Sequence, residues 1–336
     1  MNSKVDLKFW IGIAVSIFFM VLLFEKIDYQ SLAGALGKAD YRYVFLAVCF
    51  IFISYFLRAV RWRYLLIAEK FLSLSSLYSA TIIGYMANNI LPARIGEFVR
   101  AYTLAQKEHL ETPAVFASLV VDRLCDGFTV IILLLITLST LQMPVGMHDS
   151  TLALKVGGTL MFIIYCCAML FLYLLKRHTV RMLSGIGYVL RPFPSRVAEN
   201  IIPLLGSFIG GIKMSSRSGH IAALIATSFG IWLCCLLSVN MVLRSFNVDL
   251  PMTVSMFILI LLVFAVMVPA SPGFIGTYHY ACFKGLTVLG IPETTSVSIA
   301  LIMHATDFFP VIIAGLYYLW KNSLSLNELK RARKAI

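Results

Sequence analysis

Charge is what this chain has least of. Asp, Glu, Lys and Arg together make up 13% of its 336 residues, against 60% hydrophobic, whereas a soluble domain carries roughly a quarter charged residues. That balance excludes a soluble globular fold. Strand-type alternation of apolar and polar residues is missing too, which excludes a transmembrane β-barrel. The seven cysteines have neither metal-ligand spacing nor the pattern of a disulfide framework, so they read as packing residues. No G-x-x-x-x-G-K-[ST] element occurs, which argues against nucleotide hydrolysis by this chain. The chain is expected to hold no cofactor or metal, and not to be an enzyme.

What is present is membrane sequence. Apolar stretches long enough to cross roughly 30 Å of hydrocarbon fall at about residues 9–24, 41–57, 113–141, 152–175, 221–243 and 296–320. The expected class is an all-α polytopic membrane protein with about six spanning helices. The first stretch follows Lys4 and Lys8 in the manner of a signal peptide, but no small-residue cleavage site follows it, so it reads as a retained helix.

The formal net charge is +12, and 21 of the 28 basic residues lie in segments 1–8, 58–70, 94–107, 176–217 and 321–334. One topology can place all five segments on the same face, the positive-inside signature. The basic excess therefore points to anionic lipid head groups rather than nucleic acid. Both termini are expected on the cytoplasmic side of the cell inner membrane.

Two regions do not fit simple spans. Residues 71–112 must begin and end inside, because 142–151 carries no Lys or Arg and reads as outside. This predicts a re-entrant hairpin that enters over 71–91, breaks at Leu91-Pro92 and returns from about Arg94 to Gln106. By the same logic 251–292 begins and ends outside around "VPASPGFIGTYHY", a second hairpin of opposite orientation. Between them, 181–220 is too polar to span. Its Ile and Leu spacing from Ile201 to Ile212 suits either an interfacial helix or one packed on the bundle.

"PARIGEF" (92–98) lies over "PGFIGTY" (272–278) at an offset of 180, and a second match downstream puts Arg123 on His304 and Asp126 on Asp307. Two matches in order suggest duplication: repeat 1 at about 41–141, repeat 2 at about 221–320, a linker at 176–220 and a basic tail at 321–336. With hairpins facing opposite ways this is an inverted-topology repeat, on which many transporters run alternating access. The hairpin breaks are assigned to Asn88, Asn89, Pro92 and Gly96 in the first copy and Pro272, Gly273 and Gly276 in the second. Broken backbone at that depth must be buried in protein or line a wet cavity.

Arg94, Glu97 and Arg100 share a broad face at three-residue spacing, with Asp122, Arg123 and Asp126 on the next helix. Ionisable groups at depth are paired or functional. Three Arg against three acids can be a salt-bridged network pinning the hairpin. They can equally form an anion site, since Arg forks suit phosphate and a half-helix N-terminus favours it. His279, His304 and Asp307 complete the candidate site. The two His read either as titrating groups that couple transport to protons or as packed, hydrogen-bonded residues.

The motifs "LPARIGEFVRAYTL", "VVDRLCDG" and "PASPGFIGTYHY" together resemble the lysylphosphatidylglycerol synthase transmembrane family, also called flippase-like. The resemblance covers essentially the whole chain. It implies a stand-alone member without the aminoacyl transferase domain, and translocation of a lipid rather than its synthesis. It also implies association with envelope lipids or polyprenyl-linked glycans, so the expected partners are membrane lipids with anionic head groups and lipid-modifying or glycosyltransferase enzymes. Two positions depart from the family: Glu is usual at His279 and Arg is common at His304. The leading expectation is a flippase or scramblase for an anionic phospholipid or polyprenyl-phosphate-type lipid. A small-solute or ion transporter and a membrane glycosyl- or acyltransferase are the alternatives.

Overall fold

In a computed structural model the described residues are 3–24, 29–66, 72–91, 94–140, scattered positions between 156 and 177, 218–268, 271–325 and 328–329. Pro92, the expected outside loop 142–151, the segment from Ile201 to Ile212 and most of the expected span 152–175 lie outside them.

The described residues form helices and no strand. They are α1 (Ser3–Phe24), α2 (Tyr29–Lys38), α3 (Tyr41–Leu66), α4 (Leu74–Ile90), α5 (Gly96–Glu108), α6 (Thr112–Thr140), α7 (Ser218–Ser245) and α8 (Met252–Met267). A 3₁₀ turn (Pro272–Phe274), α9 (Thr277–Val288) and α10 (Glu293–Lys321) follow. This is an all-α membrane protein. Tyr41–Leu66, Gly219–Ser245 and Glu293–Lys321 are long and apolar enough to cross a bilayer. Three such spans, rather than the six expected, stand out among the described residues. Helix α6 has 29 residues, about 43 Å at 1.5 Å per residue, but Asp122, Arg123 and Asp126 interrupt its apolar run. Helix α8 is a shorter apolar helix, Met252–Met267, and α1 carries the apolar run 9–24. Helix α3 continues nine residues past the expected end at 57.

Contacts between helix ends define two ends of the bundle. At one, Tyr64 of α3 meets His220 of α7 with ring centroids 5.6 Å apart, and Lys107 of α5 donates to Asn322, just past α10, at 3.0 Å. At the other, the Asp40 amide before α3 donates to the Ser245 carbonyl at the end of α7, 2.8 Å. The α4–α5 hairpin starts and finishes at the first end. The α8–α9 hairpin starts and finishes at the second, after the short link from α7 and before the short link to α10. Their turns meet in between, where the Arg94 guanidinium lies 4.9 Å from the centre of the Phe274 ring.

Local chemistry makes each break. Ser73 caps α4 by accepting the Ser76 amide at 3.1 Å. Leu91 leaves the helix in an extended conformation, φ −93° and ψ 143°, as a residue before proline must. Arg94 has φ 52° and sits outside the returning helix, which begins at Gly96 rather than at Arg94. The two arms touch through glycine: a Cβ on Gly96 would run into the Gly84 carbonyl and the Asn88 side chain, the close approach that small residues permit inside membranes. In the second hairpin Gly276 takes φ 92°, a conformation costly for other residues, and a Cβ there would strike the Ser16 backbone. Helix α1 thus lies against this turn, and Ser16 Oγ accepts the Ser271 amide at 3.0 Å.

Candidate functional site

Four helices converge on one buried ion knot. Arg61 of α3, with no exposed side-chain surface, donates to Asp122 at 2.7 Å and to Asp126 at 2.8 Å, and to Ser228 of α7 at 3.1 Å. Arg58, one turn earlier, donates to Asp126 at 2.6 Å. Arg100 of α5 reaches Asp122 at 3.0 Å while its plane lies 4.1 Å from the Trp62 ring centre. Arg123 bonds Asp122 at 3.1 Å and Asp126 at 3.3 Å, and donates to Tyr85 Oη at 3.1 Å. Each Asp therefore serves three guanidinium groups. Removing two carboxylates from water costs several kcal/mol each unless they are fully paired and hydrogen-bonded, and here they are.

The predicted residues fall in two overlapping sets. Asp122, Asp126 and Arg100 are buried in the knot. Glu97, Arg123 and Asp126 line a cavity of about 750 Å³ together with Arg94, Asn88, Asn89 and Arg58. Glu97 stands 3.7 Å from Arg123, and its second carboxylate oxygen has no hydrogen-bond partner. Arg94 forms no salt bridge within 4.0 Å among the described residues; its guanidinium lies over the Phe274 ring. The expected balance of three Arg against three acids is corrected by Arg58 and Arg61, which make it five against three. Sequence reading placed these two in a cytoplasmic basic segment because they follow an apolar run that already looks complete. The available signal was their i, i+3 spacing beside Trp62 within a helix that can continue. Together with Arg94 and Arg100 they leave seventeen of the 21 clustered basic residues to support orientation.

Asn88 Oδ1 accepts the Gly96 amide at 2.8 Å, so it satisfies backbone that the break frees. His279 performs the matching task in the second hairpin, its Nδ1 accepting the Gly276 amide at 3.3 Å. His304 Nε2 donates to the Gly273 carbonyl at 2.7 Å and lies 4.4 Å, centre to centre, from His279. Asp307 bonds neither His; it accepts from Tyr278 Oη at 2.8 Å. Gly273, Tyr278, His304 and Asp307, but not His279, line a second chamber of about 250 Å³, which shares Arg58, Tyr85, Asn89, Trp232, Phe274 and two valines with the first. Tyr85 and Trp232, which the sequence reading did not single out, line both. Arg58 lies over both rings, 5.5 and 5.8 Å from their centres.

A family model described as the lysylphosphatidylglycerol synthase TM region matches residues 9–315. The chain belongs to that family. It is 23% identical over 296 residues to a UPF0104 membrane protein of Methanothermobacter thermautotrophicus, covering 85% of this chain and 87% of the relative. A UPF0104 membrane protein of Pyrococcus horikoshii is 20% identical over 96% of this chain and 100% of its own length. The glycosyltransferase AglD of Haloferax volcanii is 25% identical over 94% of this chain, which spans 54% of that protein. No solved structure matches. In this chain the knot joins both motifs of the first half: Arg100 comes from the hairpin motif, and Asp122, Arg123 and Asp126 from the Asp-Arg-x-x-Asp motif.

Proposed function

We propose that this family member is a lipid translocase, a flippase or scramblase, that moves an anionic phospholipid or polyprenyl-phosphate-linked lipid across the cytoplasmic membrane. The mixed character of the 750 Å³ cavity carries this reading. Arg94 and Arg123 offer guanidinium groups to a phosphate on one side, and Arg58, bound to Asp126, adds its charge nearby. Val130, Ile131, Leu134, Phe264 and Met267 form the other wall. Phe264 and Met267 remain 42% and 60% exposed, an apolar rim suited to acyl or prenyl chains that stay in the bilayer while the head group passes. Hairpins entering from opposite ends and meeting near mid-depth suit alternating access, with both termini cytoplasmic by the positive-inside bias.

A transferase reading draws on the name of the Haloferax relative, but this chain spans only 54% of that protein. Asp122 and Asp126 are each held by three guanidinium groups, which leaves them ill-suited as general bases.

The test is reconstitution into phosphatidylglycerol vesicles with fluorescently labelled phosphatidylglycerol or labelled polyprenyl phosphate, read by quenching of the outer leaflet. Wild type should expose inner-leaflet label. Arg94→Ala and Arg123→Ala should not, while Arg244→Ala, whose exposed side chain pairs with Asp249 at 3.4 Å, should match wild type. Wild-type vesicles indistinguishable from empty ones with both lipids would sink the translocase reading.

A further inference from the structure

The two halves treat their matched acids differently. Asp126 is held by Arg58, Arg61 and Arg123. Asp307, at the corresponding place in the second copy of the motif, receives the Tyr278 hydroxyl and, among the described residues, forms no salt bridge within 4.0 Å. It lines the inner chamber, whose walls are otherwise largely apolar: Leu259, Leu262 and Val263 from α8, and Met303 and Phe308 from its own helix.

The titratable groups that face it are few. Helix α3 contributes Tyr55 and Arg58, α4 contributes Tyr85, and α7 contributes Cys235. Helix α9 contributes Tyr278 and Cys282, and α10 itself contributes His304. Only Arg58 among these carries a permanent charge, and it is committed to Asp126 at 2.6 Å. His279, tilted against His304, uses Nδ1 as an acceptor for the Gly276 amide, a role a protonated ring cannot fill. An ionised carboxylate in such a chamber lacks the partners that make burial tolerable.

We infer that Asp307 is a proton-binding site, and that the proton taken up there accompanies the phosphate anion through the protein; the second clause rests on the translocase reading. With Asp307 protonated, the two joined chambers and the knot hold five guanidinium groups against Glu97, Asp122 and Asp126, an excess of two. With Asp307 ionised the excess falls to one. Protonation therefore strengthens the pull on a phosphate in the outer cavity, and a bound phosphate favours protonation by the same coupling free energy. The proton binds a carboxylate oxygen on entry and leaves it on exit, with no covalent bond broken elsewhere. One proton with one singly charged phosphodiester moves no net charge across the membrane.

Two readouts test this. In pH-difference infrared spectra of the reconstituted protein, a protonated carboxyl C=O band should vanish in Asp307→Asn and persist in His279→Gln and His304→Gln. This measurement needs no lipid movement, so it stands even where the translocase reading fails, and a band unchanged in Asp307→Asn overturns the site. Tyr278→Phe, which keeps the carboxylate and removes its donor, should keep the band and move the pH at which it appears; this guards against a folding defect in the Asn variant. The second readout follows labelled phosphatidylglycerol in vesicles with equal pH on both sides and an imposed potassium diffusion potential. Wild-type rates should rise as pH falls, by up to about tenfold per unit for one obligatory proton, and ignore the potential. Asp307→Asn should ignore pH and follow the potential. Wild-type movement that tracks potential and not pH overturns the coupling.

Discussion

Replacing Asp122 by Asn should damage this protein more than replacing the larger, equally buried Arg61 by Met. The knot of Arg58, Arg61, Arg100 and Arg123 around Asp122 and Asp126 holds four guanidinium groups against two carboxylates, an excess of two positive charges. Asp122→Asn raises the excess to three and strips Arg61, Arg100 and Arg123 of one shared partner. Breaking a buried pair from one side costs about 3–5 kcal/mol, equivalent in a chain of this size to a Tm loss of about 4–7 °C. Arg61→Met lowers the excess to one and leaves each Asp two guanidinium partners. Its cost is the lost hydrogen bonds, including that to Ser228, at about 1–3 kcal/mol. The double variant restores the excess of two, so its loss should be smaller than the sum of the single losses, a coupling that a double-mutant cycle measures directly. The assay is thermal unfolding in detergent, followed by thiol-reactive dye at the protein's own free cysteines. Equal losses for the two single variants, or strict additivity in the double, would refute the charge accounting.

Other outcomes follow from the fold. Gly96→Ala should force the hairpin arms apart, lowering Tm by the cost of overpacking, about 1–3 kcal/mol, and slowing labelled-lipid movement; an unchanged Tm would mean the arms are not in contact. Cysteines placed at His109 and Ser323 should be labelled by a membrane-impermeant maleimide from one side of the vesicle, and a cysteine at Gly290 from the other. Labelling of all three from one side would remove the opposed hairpins. Trp62→Phe, which deletes the Nε1 bond to Ser118 Oγ at 2.8 Å but keeps a ring beneath Arg100, should cost about 1 kcal/mol in thermal unfolding. A loss as large as that of Asp122→Asn would show that the indole and its bond to Ser118, not the carboxylate, organise this part of the knot.

Much of this architecture was legible because bilayers restrict what a sequence can do. Pro and Gly at matched places inside apolar runs, with charge bias on the flanks, are enough to place two breaks and their opposed directions. Details of the breaks were not: the left-handed Arg94 and the start of α5 at Gly96 depend on how closely Gly84 lets the arms approach. Arg58 and Arg61 escaped because charge near the end of an apolar run looks the same in sequence whether it faces the cytoplasm or a buried carboxylate. The pairing of Tyr278 with Asp307 escaped because a hydroxyl contact across 29 residues has no periodic signal.

The two hairpin turns are secured in different ways. The first is tied from within, Asn88 of one arm holding the Gly96 amide of the other. The second also has an internal tie, from His279 to Gly276, but it leans on a neighbour: Ser16 of α1 receives the Ser271 amide, and the α1 backbone occupies the space a Cβ at Gly276 would take. Phe19 of α1 rests beside Tyr280 with ring centres 5.1 Å apart. Mechanically, then, the molecule is lopsided. A pull or tilt applied to the first helix reaches the second turn directly and the first only through the contact of Arg94 with Phe274, so thickness, curvature or tension of the surrounding bilayer acts on the second half before the first.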